Sequence, residues 1–166
     1  MNLLEINERM RQRPPFQMIE RVTELTPGKS ATGIKCVSVN EPYFQGHMPG
    51  YPIMPGVLLI ETAAQLCSLV IEQEGVDDSK IYVLLKVKDF KFVKAVIPGD
   101  RLEIKVECLR AGTGLYEFRF SVTESCGQRV ICSLRQLIKK VYSVRKLEVD
   151  AHESISNQRK SQGRTK

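Results

Sequence analysis

Two residues in the middle of the chain are of types that move protons. His47 lies in the loop Gly46-His47-Met48-Pro49-Gly50 and is one of only two histidines. Imidazole is the side chain best matched to taking up a proton near pH 7. The flanking glycines and prolines fix the backbone around the ring and leave it room. Taken alone, a loop histidine is first of all an exposed polar residue. Glu61 lies in residues 57–73, a stretch without Gly or Pro. There Glu61, Gln65, Ser68 and Glu72 recur at intervals of 4, 3 and 4, which places them on one face of a helix. The ordinary meaning of such a stripe is a solvated face. Two features weigh against it. The stripe holds no Lys or Arg, although the chain has 25, and Val57, Leu58, Leu59, Ile60, Ala63, Ala64, Leu66, Leu69 and Val70 make the helix apolar nearly all round. Glu61 is therefore expected in an apolar setting. Burial away from cations would raise its pKa and keep it protonated, and a protonated carboxyl is a general acid. Gly56 stands at the helix start, where unpaired N–H groups and partial positive charge suit a developing oxyanion. Equally, Pro55-Gly56 is simply a helix start. Gln65, one turn beyond Glu61, is placed either to orient that carboxyl or to pack.

The elements that must hold these residues read as follows. Residues 3–11 form a short helix with Leu3, Ile6 and Met10 on one side, ended by Pro14-Pro15. Residues 16–25 and 30–39 alternate as strands around the Pro27-Gly28 turn, with Ile34, Cys36, Val37 and Val39 competing for the inner face. Residues 40–56 carry too many prolines and glycines for a regular element and form a loop. Residues 57–73 are the main helix, about 25 Å long. Strands follow over 81–96, 101–110, 115–124 and 128–144. Leu102, Ile104, Val106 and Cys108 share one face of the second of these. After Val144 the pattern fails, and the polar residues 145–166 read as a disordered tail. The expected fold is α+β: one domain over 1–144, a mostly antiparallel sheet wrapped around one long apolar helix.

Composition excludes other classes. The chain has 166 residues, 42% hydrophobic and 27% charged, as in an ordinary globular domain. Cys36, Cys67, Cys108, Cys126 and Cys132 are odd in number and lack CxxC spacing, so neither a zinc site nor a disulfide framework is expected. Reduced thiols point to the cytoplasm. No apolar leader opens the sequence, and no stretch is apolar enough to span a membrane. The net charge of +6 is uneven: residues 36–79 carry −6 with no cation at all, and residues 80–144 carry +7. A basic domain suits an acidic partner. Lys86, Lys88, Lys91 and Lys94 are candidates to receive one, or else a solvated strand face.

Together, the segment FQGHMPGYPIMPGVLLIETAAQ resembles the active-site segment of β-hydroxyacyl-acyl carrier protein dehydratases, single-domain hot-dog enzymes of fatty acid synthesis. The likeness extends to RQRPPFQMIERVTELTPGKSATGIKCVSVNEPYF and to KFVKAVIPGDRLEIKVE, and covers roughly residues 3–142. It implies a hot-dog fold and a homodimer with two composite sites, often assembled as a trimer of dimers. It also implies a substrate carried on the phosphopantetheine arm of an acidic acyl carrier protein, with no metal or redox cofactor. It assigns proton abstraction to His47 of one protomer, donation to the leaving hydroxyl to Glu61 of the other, and thioester polarisation to the N–H groups of Gly56 and Val57. The product is a trans-2-enoyl thioester, in fatty acid or related polyketide and specialised lipid assembly. The chain departs from the family's usual pattern at Gln12-Arg13-Pro14-Pro15-Phe16, Glu20, Met48 and Tyr51. Rival readings are a hot-dog thioesterase, an isomerising dehydratase, which usually has Asp at the position of Glu61, and a non-catalytic binding protein. Nucleic-acid binding is not expected, because the tail's basic residues are not interleaved with aromatics.

Overall fold

The computed structural model describes residues 1–71, 80–88, 90–112, 114–124 and 129–143. Helix α1 (Leu3–Asn7) is set by a capping box: the Asn2 side chain accepts from the N–H groups of Leu4 and Glu5, and the Glu5 carboxylate accepts from the Asn2 N–H. It is shorter than the expected 3–11. Five residues make about a turn and a half, too little to keep Leu3, Ile6 and Met10 on one side. Ile6 and Met10 are buried; Leu3 is exposed.

Strands β1 (Arg21–Thr26) and β2 (Ser30–Cys36) form a hairpin. The first begins later than expected, because residues 16–18 are bonded to the central helix instead, as described below. On the second, Val37, just past its end, takes the inner position, whereas Cys36 and Val39 face water. The cis Pro14–Pro15 peptide lies in the approach to this hairpin.

Helix α2 (Gly56–Ile71) is the central element. Strands β3 (Lys80–Lys88), β4 (Lys91–Phe92), β5 (Arg101–Gly112), β6 (Leu115–Glu124) and β7 (Arg129–Ser143) complete one sheet in the order β1-β2-β5-β6-β7-β3, with β4 paired to β7. Every pairing is antiparallel. The expected single strand over 81–96 is thus two strands. After Phe92 the chain leaves the sheet, and the Met54 N–H donates to the Val96 carbonyl at 2.8 Å. That departure carries residues 92–96 to the loop that holds His47.

The core forms where α2 meets the sheet. Leu59, Ala63, Leu66, Leu69 and Val70 pack with Leu102, Ile104 and Val106 of β5 and Phe118, Phe120 and Val122 of β6, all buried. Each large side chain buried there contributes about 1.5–3 kcal/mol. The alternation expected for β5 is met: Lys105 and Glu103 lie on its outer face as an ion pair at 3.0 Å. Gly33 of β2 lets the helix approach closely, since a Cβ there would lie 3.0 Å from a Leu66 methyl. Cys36 and Cys108 are free thiols, and partial desolvation, joined at Cys36 by the Glu20 carboxylate, pushes both thiol pKa values up.

The polar stripe on α2 is not a solvated face. Gln65 and Ser68 of the stripe are buried, as is neighbouring Thr62, and Glu61 is half-buried. The Thr62 hydroxyl donates to the Leu58 carbonyl and the Ser68 hydroxyl to the Gln65 carbonyl, both at 2.6 Å. Such bonds back to the helix's own carbonyls satisfy a hydroxyl without water. Glu72, the expected boundary at 144 and the tail 145–166 lie outside the described residues.

Candidate active site

His47 hangs from a 3-10 turn, Pro42–Gln45, whose Tyr43 carbonyl accepts from the N–H groups of Gly46 at 3.3 Å and His47 at 3.0 Å. The loop then closes on itself: Met48 and Tyr51 exchange backbone bonds, and the Ile53 N–H donates to the His47 carbonyl at 3.2 Å. The His47–Met48 peptide is cis. The His47 ring is half-buried, with Nδ1 2.8 Å from the Ile53 carbonyl. A carbonyl only accepts, so Nδ1 carries the hydrogen. The neutral ring then has its lone pair on Nε2, the atom a base uses.

His47 lines a cleft of about 340 Å³ together with Ile53, Gly56, Leu59, Phe92 and Lys94. The wall is mostly apolar, with a histidine and a helix N-terminus in it, the usual make-up of a small-molecule pocket. Gly56 is required by its neighbour. A Cβ at this position would lie 2.3 Å from Cζ and 2.4 Å from Cε1 of Phe92, so the ring occupies the space a side chain would need. Gly56 therefore does more than start a helix: it lets an aromatic ring cover the first turn. Val57, next along, is exposed. Sequence reasoning missed Phe92 and the Ile53 carbonyl. The first had a signal in the Phe90/Phe92 pair within a lysine-rich strand; the second had none, because a backbone carbonyl carries no residue identity.

Glu61 does not line this cleft. It stands two residues beyond Leu59, about 200° around the helix, on the side that faces the N-terminal segment. There Gln65 is completely buried and fully bonded. Its oxygen accepts from the Met18 N–H at 2.8 Å, and its amide nitrogen donates to the Phe16 carbonyl at 2.8 Å and to Glu61 Oε1 at 2.9 Å. The flipped amide would set an oxygen against two oxygens, so only this orientation is satisfied. One side chain thus ties residues 16–18 to α2 and fixes the Glu61 carboxyl. Within one chain, His47 and Gly56 share a cleft, while Glu61 and Gln65 form a second group elsewhere on the helix.

Lys86, Lys88, Lys91 and Lys94 are all exposed. Lys94 pairs with Glu124 at 2.7 Å at the edge of the cleft. Among the described residues, no group of three or more His, Cys, Asp or Glu side chains is placed to hold a metal ion. No described helix is long and apolar enough to cross a membrane.

Residues 10–135 match the FabA-like domain family. The chain is 41% identical over 118 residues to the 3-hydroxyacyl-[acyl-carrier-protein] dehydratase FabZ of Geotalea uraniireducens, covering 68% of this chain and 81% of that protein. It is 37% identical over 144 residues to the protein of the same name from Teredinibacter turnerae, covering 79% and 99%. Among solved structures, the fold is similar to the dehydratase heterocomplex ApeI:P of Xenorhabdus doucetiae, with a TM-score of 0.69 and 19% identity over 88% of this chain and 95% of that one. It is also similar to the fluoroacetyl-CoA thioesterase FlK, with a TM-score of 0.62 and 13% identity over 78% and 97%, and to a hot-dog-like protein from Thermanaerovibrio acidaminovorans, with a TM-score of 0.61 and 16% identity over 78% and 93%. The fold is the hot-dog fold, shared by dehydratases and thioesterases alike, so the fold alone does not select the reaction.

Proposed function

The chain belongs to the FabA-like family, among its 3-hydroxyacyl-[acyl-carrier-protein] dehydratases, and on that premise we propose how its own residues divide the work. The activity is that of a hydro-lyase of fatty acid biosynthesis. A β-hydroxyacyl thioester on acyl carrier protein loses water and becomes the trans-2-enoyl thioester.

Nε2 of His47 removes the α-proton, since Nδ1 is committed to the Ile53 carbonyl. Negative charge builds on the thioester oxygen and is held by the N–H groups of Gly56 and Val57 at the positive end of α2. Glu61, protonated, gives its proton to the departing β-hydroxyl, which leaves as water. With Oε1 bound by Gln65, Oε2 is the oxygen assigned the transferred proton. Atoms and charge balance between the two groups, so this elimination calls for no metal or redox cofactor.

The observation that carries the reading is the separation of the two groups within one chain. The reaction needs base and acid on opposite ends of one short C–C bond, yet Glu61 is absent from the cleft of His47. A homodimer resolves this if each cleft takes its Glu61 from the other copy. Assembly of such dimers as a trimer is compatible with the same arrangement. The soluble, cytoplasmic setting of the acyl carrier protein is the one we assign to the enzyme.

The test is to mix two inactive variants, His47→Ala and Glu61→Gln, after dissociation and reassociation. Random pairing makes half of the dimers mixed, and each mixed dimer has one site with both groups intact. Activity should return to about a quarter of wild type. If sites are complete within one chain, mixing restores nothing.

We also propose that the exposed lysines receive the acidic carrier. Reversing charge at Lys86, Lys88 and Lys91 should raise KM for a carrier-bound substrate about tenfold and steepen no other step. Kinetics on a small thioester that carries no protein should be unchanged. Equal effects on both substrates would remove the docking role.

A further inference from the structure

A lysine is almost never fully buried unless it is paired. Lys35, near the end of β2, has a side chain only 3% exposed. Its Nζ lies 3.1 Å from Glu20 Oε1 and bonds Glu41 Oε1 as well. The Glu20 carboxylate is fixed from behind, its second oxygen accepting from the Cys36 N–H at 2.7 Å. Glu41, in turn, is the residue from which the 3-10 turn starts: its carbonyl accepts from the Phe44 N–H at 3.1 Å. The next carbonyl that matters, Tyr43, accepts from the N–H of His47. A continuous path of ionic and backbone bonds therefore runs from the sheet, through Lys35 and Glu41, to the backbone of the proposed base. The Tyr43 hydroxyl is buried without a partner, and burial, then the charges of Glu41 and Glu20, push its pKa up.

We propose that Lys35 is a positioning residue for catalysis: by holding Glu41 against Glu20 it fixes the turn that aims His47. The inference rests on the assignment of His47 as the base. A buried ion pair contributes little net stability over an apolar substitute but fixes one arrangement of its partners. Without the ammonium, the mostly buried Glu41 carboxylate is left facing the carboxylate of Glu20 with no cation between them. Glu41 is less exposed than Glu20, 15% against 41%, so it has the further to move to reach solvent, and the turn moves with it. A displacement of about 1 Å at a reacting group costs on the order of 100-fold in rate.

The experiment uses the full chain and hydration of a small enoyl thioester. Lys35→Met should lower kcat about 10- to 100-fold with KM changed less than about twofold. Adding Glu41→Gln to it removes the unpaired buried charge and should recover part of the loss. Long-range 15N NMR of the His47 ring should show the Nδ1–H tautomer in the wild type and its loss in Lys35→Met. Should that variant fail to fold, Glu41→Gln alone keeps Lys35 paired with Glu20 and should still lower kcat several-fold at constant KM. A folded Lys35→Met or Glu41→Gln that keeps wild-type kcat overturns the proposal. So does a loss of kcat with an unchanged His47 tautomer and no recovery in the double variant. His47→Ala run in parallel separates the two ideas: if it stays active, the base assignment fails, and the NMR readout alone decides what Lys35 holds in place.

Discussion

Replacing His47 with alanine should lower kcat for enoyl thioester hydration, and for the reverse dehydration, about 100- to 10,000-fold. The equilibrium constant is unchanged, so the loss in kcat/KM must be equal in both directions. The size follows from removing a positioned base: among the described residues of the same chain, the other ionisable side chain lining the cleft is Lys94, which is paired with Glu124. KM for a small thioester should change little, because the apolar wall of Ile53, Leu59 and Phe92 is untouched. The loop itself should survive. Its shape depends on the backbone bonds to Tyr43, Tyr51 and Ile53, none of which needs the imidazole. The check is steady-state kinetics together with a thermal melt. Turnover within a few-fold of wild type would sink the proposed mechanism.

Glu61→Gln should cause a loss of similar order, again in kcat. This substitution is chosen because it keeps size, and because an amide oxygen at position 61 can still accept from Gln65 Nε2. The bonds from Gln65 to Phe16 and Met18 then stay in place, and the melt should shift by no more than a few degrees. What is removed is the transferable proton. Glu61→Asp makes a separate point. It keeps the acid but shortens the arm by one methylene, out of reach of Gln65, so it should fall between wild type and Glu61→Gln. A Glu61→Gln enzyme with normal turnover would mean that the hydroxyl leaves without help from this residue.

Much of this arrangement was legible beforehand, for reasons that differ from element to element. The central helix showed itself by its period and its lack of Gly and Pro, and the structure moves its start by one residue, to Gly56. Strand β5 showed itself by strict alternation, which is local. Both errors of extent have tertiary causes. Residues 16–20 alternate well enough for a strand, but Gln65 claims the backbone of Phe16 and Met18. The lysine-rich stretch alternates through 96, but pairing between Met54 and Val96 draws its end out of the sheet. Sequence spacing put Gln65 on the Glu61 face; it could not say that this face was covered.

By itself, then, the sequence determined the class of fold, the loop with its histidine, the helix with its carboxyl, and the family. Each of these is written in neighbouring residues: a period, a run of prolines and glycines, a motif. The tertiary structure decided what lies against those residues. It put a carbonyl on His47 Nδ1, an aromatic ring on Gly56 and a buried amide on Glu61. It gave Lys35 two carboxylates from separate segments, and it set His47 and Glu61 on different sides of one helix. Periodicity states which side chains share a face, and only packing across distant segments states what that face meets.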